Sequence, residues 1–257
     1  MTTTGGPLPH YAVQILLPHR PKLHPSIVHA QLLAWRDDIE LIRGHTHLAL
    51  DETPTSRSFH FGFAIPTRDL PLLVHVFEAP PDAYRAQLDD ALAWSPSWAE
   101  RYEAVDACTS SIVISMIAHR PVNHATMLLA FMSVLDTVLG SIDDLRTAVL
   151  HWLPAQRVLA FSKYRLLRLE QGPCGPAINV RIAAISEHDT IVDTIGLADL
   201  GLPDLQAIVH DRDPAELVTR LAGLARSMFV GDALDCAWTE EASLVSPSRD
   251  ALTLQLD

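Results

Sequence analysis

The chain has 257 residues, 48% of them apolar and 19% charged, with a net charge of −12. That is the composition of a chain that folds on its own core, and at this length roughly 70–75% of the unfolded surface is buried, so no disulfide network or metal is needed to hold it. Lysine occurs only at Lys22 and Lys163, and the arginines nowhere gather into a basic cluster interleaved with aromatics. Nucleic acid is therefore excluded as an expected ligand, while the acidic excess repels anionic membranes and favours a basic protein partner.

The opening "MTTTGGPLPHYAVQILLP" has neither a positive n-region nor a small-residue cleavage site. The longest membrane-like run, Ala125 to Gly140, is broken by Asp136 and is shorter than the ~20 residues a span requires. Three separated cysteines, Cys108, Cys174 and Cys236, show no C-x-x-C spacing. The cytoplasm is therefore the expected compartment, with no disulfide and no membrane association expected.

Along the chain, "YAVQILL" (Tyr11–Leu17) and "SIVISMI" (Ser111–Ile117) are apolar runs suited to strands buried on both faces. Each is followed by His-Arg-Pro-x-x-His, the two copies one hundred positions apart, and proline ends the strand in each. A helix follows each time. The first is expected to turn Ile27, Leu32, Leu33 and Trp35 inward; the second turns Met127, Leu128, Phe131, Leu135 and Leu139 inward and stops at Gly140.

"HTHLAL" (His45–Leu50) and "AVLHWLP" (Ala148–Pro154) are the next expected strands. "SFHFGFAI" carries Phe59, Phe61, Phe63 and Ile65 on one face, and "LLVHVF" (Leu72–Phe77) is another strand. "PPDAYRAQLDDALAW" predicts a helix with Asp82 near its start.

"AINVRIAAI" (Ala177–Ile185) and "LPDLQAIVH" (Leu202–His210) read as strands, with "TIVDTIGLADLG" as the connection between them. "DPAELVTRLAGLARSMF" is a capped helix: Asp213 at the cap, Pro214 in the first position, Glu216 completing a capping box, and Leu217, Leu221, Leu224 and Met228 inward. "DCAWTE" and "ALTLQLD" close the chain as strands.

This order predicts an α+β fold of two tandem related halves, residues 1–105 and 106–257. Each is of β-α-β-β type with mixed or antiparallel sheets and flanking helices, related by a pseudo-twofold axis, with sheets either joined or packed face to face. The paired motif suggests a metal centre formed by His19, His24, His119 and His124. The alternative is that each histidine marks a bend where a strand gives way to a helix. The spacing favours the bend, because five residues across such a junction do not present two ligands on one helix face. Cys174 in "GPCGP" is expected in an exposed loop, with no local group to lower its pKa.

No G-x-S-x-G, phosphate loop or dinucleotide fingerprint is present, and no set of residues assigns acid, base and nucleophile roles. No catalytic residue and no cofactor is expected.

Thr194, Gly196, Leu197, Gly201, Leu202, Pro203 and Asp204, within "IVDTIGLADLGLPDLQAIV", resemble the hallmark of a bacterial family catalogued as domain of unknown function 4261. "AVLHWLPAQRVL" (Ala148–Leu159) is similar to that family's aliphatic-aromatic strand. The likeness covers the second half best, and it resembles immunity-protein domains of bacterial toxin systems too, with Gln206 where an acidic residue is usual. It implies a non-enzymatic binding protein, an immunity protein or a secretion-system adaptor. On that reading Asp199, Asp204, Asp232, Asp235, Glu240 and Glu241 face the partner. A metal- or thiol-dependent hydrolase and a structural subunit of a larger assembly are the alternatives, and a homodimer is left open.

Overall fold

The computed structural model describes residues 10–43, 58–63, 72–95, 98–117, 124–211, 213–232, 238–242 and 250–254. In chain order the elements are β1 His10–Leu17, α1 Pro25–Leu33, β2 Ile39–Arg43, β3 Ser58–Phe63, β4 Leu72–Ala79, α2 Arg85–Ala93, α3 Arg101–Asp106, β5 Ser110–Ile117 and α4 His124–Gly140. There follow β6 Val149–Trp152, β7 Arg157–Ala160, α5 Phe161–Gln171, α6 Cys174–Ala177, β8 Asn179–Ala184 and β9 Asp189–Ile195. A 3-10 turn Ala198–Leu200, β10 Asp204–His210, α7 Ala215–Val230, β11 Trp238–Ala242 and β12 Asp250–Leu254 complete them.

The fold is α+β, as the sequence predicts. Among the described residues one sheet runs β2-β3-β4-β5-β1-β6-β7 and a second runs β11-β12-β10-β9-β8. Every pairing is antiparallel except the parallel β10–β12. No helix among the described residues is long and apolar enough to cross a membrane.

The two apolar runs lie side by side at the heart of the first sheet, where both faces are covered, and Tyr11 to Leu17 are all buried. On one face lie α1 and α4. The inward side chains predicted for α4 (Met127, Leu128, Phe131, Leu135 and Leu139) are all buried, and the Phe131 ring packs 5.7 Å from both Tyr11 and Trp152. Asp136, the charge that interrupts this helix, accepts a hydrogen bond from Tyr164 Oη and pairs with Arg168 at 3.1 Å, tying α4 to α5. On the opposite face α2 and α3 bury Leu88, Ala91, Leu92 and Val105 against Leu16, Val149 and Val158.

The first half's β1 lies between β5 and β6 of the second, so the halves join one sheet. The hundred-residue match, however, does not superpose. Val13 lies opposite Ile114 and Gln14 opposite Val113, so side-chain alternation puts Val13 and Val113 on opposite faces. A twofold axis relating antiparallel neighbours stands normal to the sheet and preserves faces. Only an odd offset satisfies it. The chain also diverges after each helix: β2 goes to the far edge of the sheet, whereas β6 lies beside β1.

Three local expectations are corrected. In α1 the inward residues are Val28 and Leu32, while Ile27 and Trp35 are half exposed. A helix starting at Pro25 is only nine residues long, too few for its period to be read from composition. Cys174 is not in an exposed loop: it opens α6 with its thiol buried, Sγ 3.4 Å from the Gln171 carbonyl, because α6 packs back onto α5. "TIVDT" is strand β9, not connection, since its Asp and Thr side chains are paired inside.

In α7 the Asp213 carboxylate accepts the Ala215 N–H at 2.9 Å, but the helix begins at Ala215 with Pro214 as its N-cap, and no hydrogen bond from Glu216 completes the expected capping box among the described residues. Leu217 and Leu221 are buried, Leu224 and Met228 lie at the edge of the core, and Ala225 takes the central place. The expected strand at His45–Leu50, together with Ile65, His119 and Asp235, lies outside the described residues.

Candidate binding groove

Of the four histidines of the repeated motif, His19, His24 and His124 are described, and each stands at a bend or a helix start. The His24 carbonyl accepts the first N–H groups of α1, from Ile27 at 3.0 Å and Val28 at 3.2 Å. His124 opens α4, with Nδ1 3.2 Å from the Asp199 carbonyl. His19 lies near Asp144, beyond the other end of the 17-residue α4, about 25 Å from His124 by helix rise. Hence His19 and His124 do not share a centre. Among the described residues no group of three or more His, Cys, Asp or Glu is arranged to hold a metal.

The glycines of the family-like segment have a steric cause. Gly196 has φ +107°, and a Cβ there would lie 2.3 Å from the Ala177 carbonyl oxygen. Gly201 has φ +75°, and a Cβ there would lie 2.3 Å from His124 Nε2. Asp204 is a correction: it is buried rather than partner-facing, and its Oδ1 receives the Thr194 hydroxyl and the Leu197 N–H, both at 3.3 Å. Asp199 is half buried beside the same loop and Asp232 is exposed beyond α7. Glu240 and Glu241 lie on the edge strand β11.

One polar row escaped the sequence reading. Arg181 opposes Asp193, Asp193 opposes Gln206, and Gln206 opposes Thr253, a line across four strands of the second sheet. The Arg181–Asp193 pair is bidentate, at 3.0 and 2.5 Å, with both side chains 4% exposed; the guanidinium lies 5.0 Å from the Trp94 ring centre. Gln206 donates to Thr253 Oγ1 at 2.8 Å, so an amide serves where the family likeness led us to expect an acid. These residues are separated in sequence, and only strand register reveals them as neighbours. Arg181, Asp193 and Gln206 are closed to solvent, Thr253 is half buried, and the row ties the four strands together.

A second unread cluster is exposed at the β9–β10 end. His210 Nδ1 meets Asp189 at 2.9 Å and His188 Nδ1 meets Asp211 at 3.0 Å. The Asp189 hydrogen bond raises the His210 pKa, and His210 in turn lowers that of Asp189.

The concave feature lies where α4 ends. Gly140 stops the helix, and two tight hydrogen bonds, Ser141 N–H to the Val138 carbonyl and Ile142 N–H to that of Leu139, turn the chain at 3.1 and 3.2 Å. The loop then returns to β6 while Phe161, first residue of α5, faces it. The resulting shallow, open groove of about 450 Å³ is lined by the partly exposed Ile142 and Phe161, with Leu139 and Leu145 buried beneath them. That is within the ~300–1,000 Å³ range of ligand sites. Its lip carries Asp143, Asp144 and Arg146.

Arg146 bonds Asp144 and holds that carboxyl down at about 2, with His19 adding to the effect. Asp143 is exposed and makes no ion pair among the described residues. The groove offers shape, apolar surface and negative charge, and no nucleophile. It is equipped to hold an apolar side chain beside a cation. Its one trace in the sequence is the Ser-Ile-Asp-Asp turn, Ser141 to Asp144, that follows Gly140.

Comparison of the chain with models of known protein families, with curated proteins and with solved structures returned no match.

Proposed function

We propose that the chain acts without catalysis by binding a basic protein, whose apolar side chain enters the groove at the end of α4 beside Asp143. The observation that carries this reading is that groove itself: Ile142 and Phe161 beside the Asp143 carboxylate, which makes no ion pair among the described residues, on a chain of net charge −12. An immunity protein or an adaptor of a bacterial toxin or secretion system, working in the cytoplasm, is the role in which such a site serves. The resemblance read in Ile191–Val209 to family 4261 points the same way, while no family model matches the chain. Among the described residues nothing favours a thiol hydrolase: burial raises the pKa of both Cys108 and Cys174, away from the thiolate that such chemistry uses. We propose further that β1–α1 and β5–α4 descend from one strand–helix unit, out of step by an odd number of residues.

The test is an array of synthetic peptides, each with one Leu, Phe or Trp flanked by Lys/Arg or by Asp/Glu. The wild-type chain should retain the basic peptides, less so as salt rises, and Gly140→Trp should lose them. Gly140 has open space around it, so the indole fills the groove without straining the fold. Retention of no basic peptide, or equal retention by Gly140→Trp, removes the reading.

A further inference from the structure

The helix beside the groove has a face that matches it. Within α5, Leu169 is 85% exposed and Leu166 43% exposed. The helix carries Lys163, Arg165 and Arg168 against the single acid Glu170, on a chain that is otherwise acidic. Phe161, Arg165 and Leu169 stand at i, i+4 and i+8, one row along the helix. Phe161 is a wall of the groove, so groove and exposed leucine lie on the same row, about 12 Å apart at 1.5 Å per residue. Arg165, midway, lies over its own Phe161 ring at 6.0 Å from the centroid and so leans toward the groove.

We propose, resting on the groove as a protein-binding site, that α5 of a second copy of this chain occupies it when the basic partner is absent. Two α5 helices align antiparallel about a twofold axis near Arg165, and Leu169 of each copy enters the groove of the other. Both contacts form at once, so the association closes as a dimer rather than growing into a filament. Charge favours the match at one point: Arg165 of the incoming helix comes to Asp143, since Asp144 is already paired with Arg146 and Arg168 with Asp136. The basic partner competes for the same groove, and its binding separates the copies.

Sedimentation velocity of the full chain at low and high micromolar concentration tests this. A dimer is expected, weakened about tenfold or more by Leu169→Glu and by Gly140→Trp. Leu169→Glu changes an exposed position, so its melting temperature should match wild type. In a Cys236→Ser background, Gly140→Cys and Leu169→Cys proteins should form a disulfide-linked dimer under mild oxidation when mixed and not when alone. A chain that is monomeric throughout, or a dimer that survives Leu169→Glu and gives no mixed cross-link, overturns the inference. Retention of basic peptides by the Leu169→Glu variant is a separate readout: it keeps the groove's binding role whether or not the dimer exists, and its absence removes that role.

Discussion

The imidazole of His124 fills the space that a side chain at Gly201 would occupy. A Cβ built on Gly201 lies 2.3 Å from Nε2 and 2.5 Å from Cδ2, and the backbone there has φ +75°. The start of α4 and the loop before β10 are thereby locked against each other, which is why a histidine of the repeated motif sits where it does. Gly201→Ala should lose about 2–3 kcal/mol, from left-handed backbone strain and from the clash together. The double variant His124→Ala/Gly201→Ala should recover the clash portion. A double-mutant cycle by denaturant unfolding should then show a coupling of about 1 kcal/mol or more, and simple additivity would mean that the two sites are independent.

His151 gives a pH signature. It is buried in β6, both ring nitrogens lack a hydrogen-bond partner, and burial pushes its pKa from 6.5 down to about 4. The unfolded chain therefore binds the proton that the folded chain refuses. The stability due to the neutral ring is fully present above pH 6.5 and is lost as pH falls toward 4. The loss should amount to roughly 3 kcal/mol over that window, measured by urea unfolding. In His151→Leu this component of the slope should vanish, and an unchanged profile would contradict the assignment.

The Arg181–Asp193 pair should respond asymmetrically. Asp193→Ala leaves a buried guanidinium without its carboxylate, at an expected cost of about 3–5 kcal/mol. Arg181→Met combined with Asp193→Leu removes both charges and should recover most of that loss. A double variant as unstable as Asp193→Ala alone would show that the pair does more than satisfy its own charges.

What could be read from sequence follows from where each signal is stored. The α4 stripe, the Asp213 cap and the apolar runs of β1 and β5 were legible because burial is written there in local order: seventeen residues of helix period, or strands greasy on both faces. The α1 face was not legible in nine residues. Strand β9 was missed because its buried Asp193 and Thr194 are satisfied by Arg181 and by the Asp204–Leu205 segment, partners that depend on register. The groove stands between a loop and the start of a later helix, so its residues were visible singly but never as a surface.

Backbone amide shifts of the isotopically labelled chain, titrated with a basic peptide bearing one Phe, decide whether the groove is the binding surface. The amides of Leu139 to Arg146 and of Phe161 should shift together and saturate, with β8 to β12 unmoved, and the shifts should be absent in Gly140→Trp. Saturating shifts confined to the second sheet, or no shift at any peptide concentration, would contradict a protein-binding role for the end of α4.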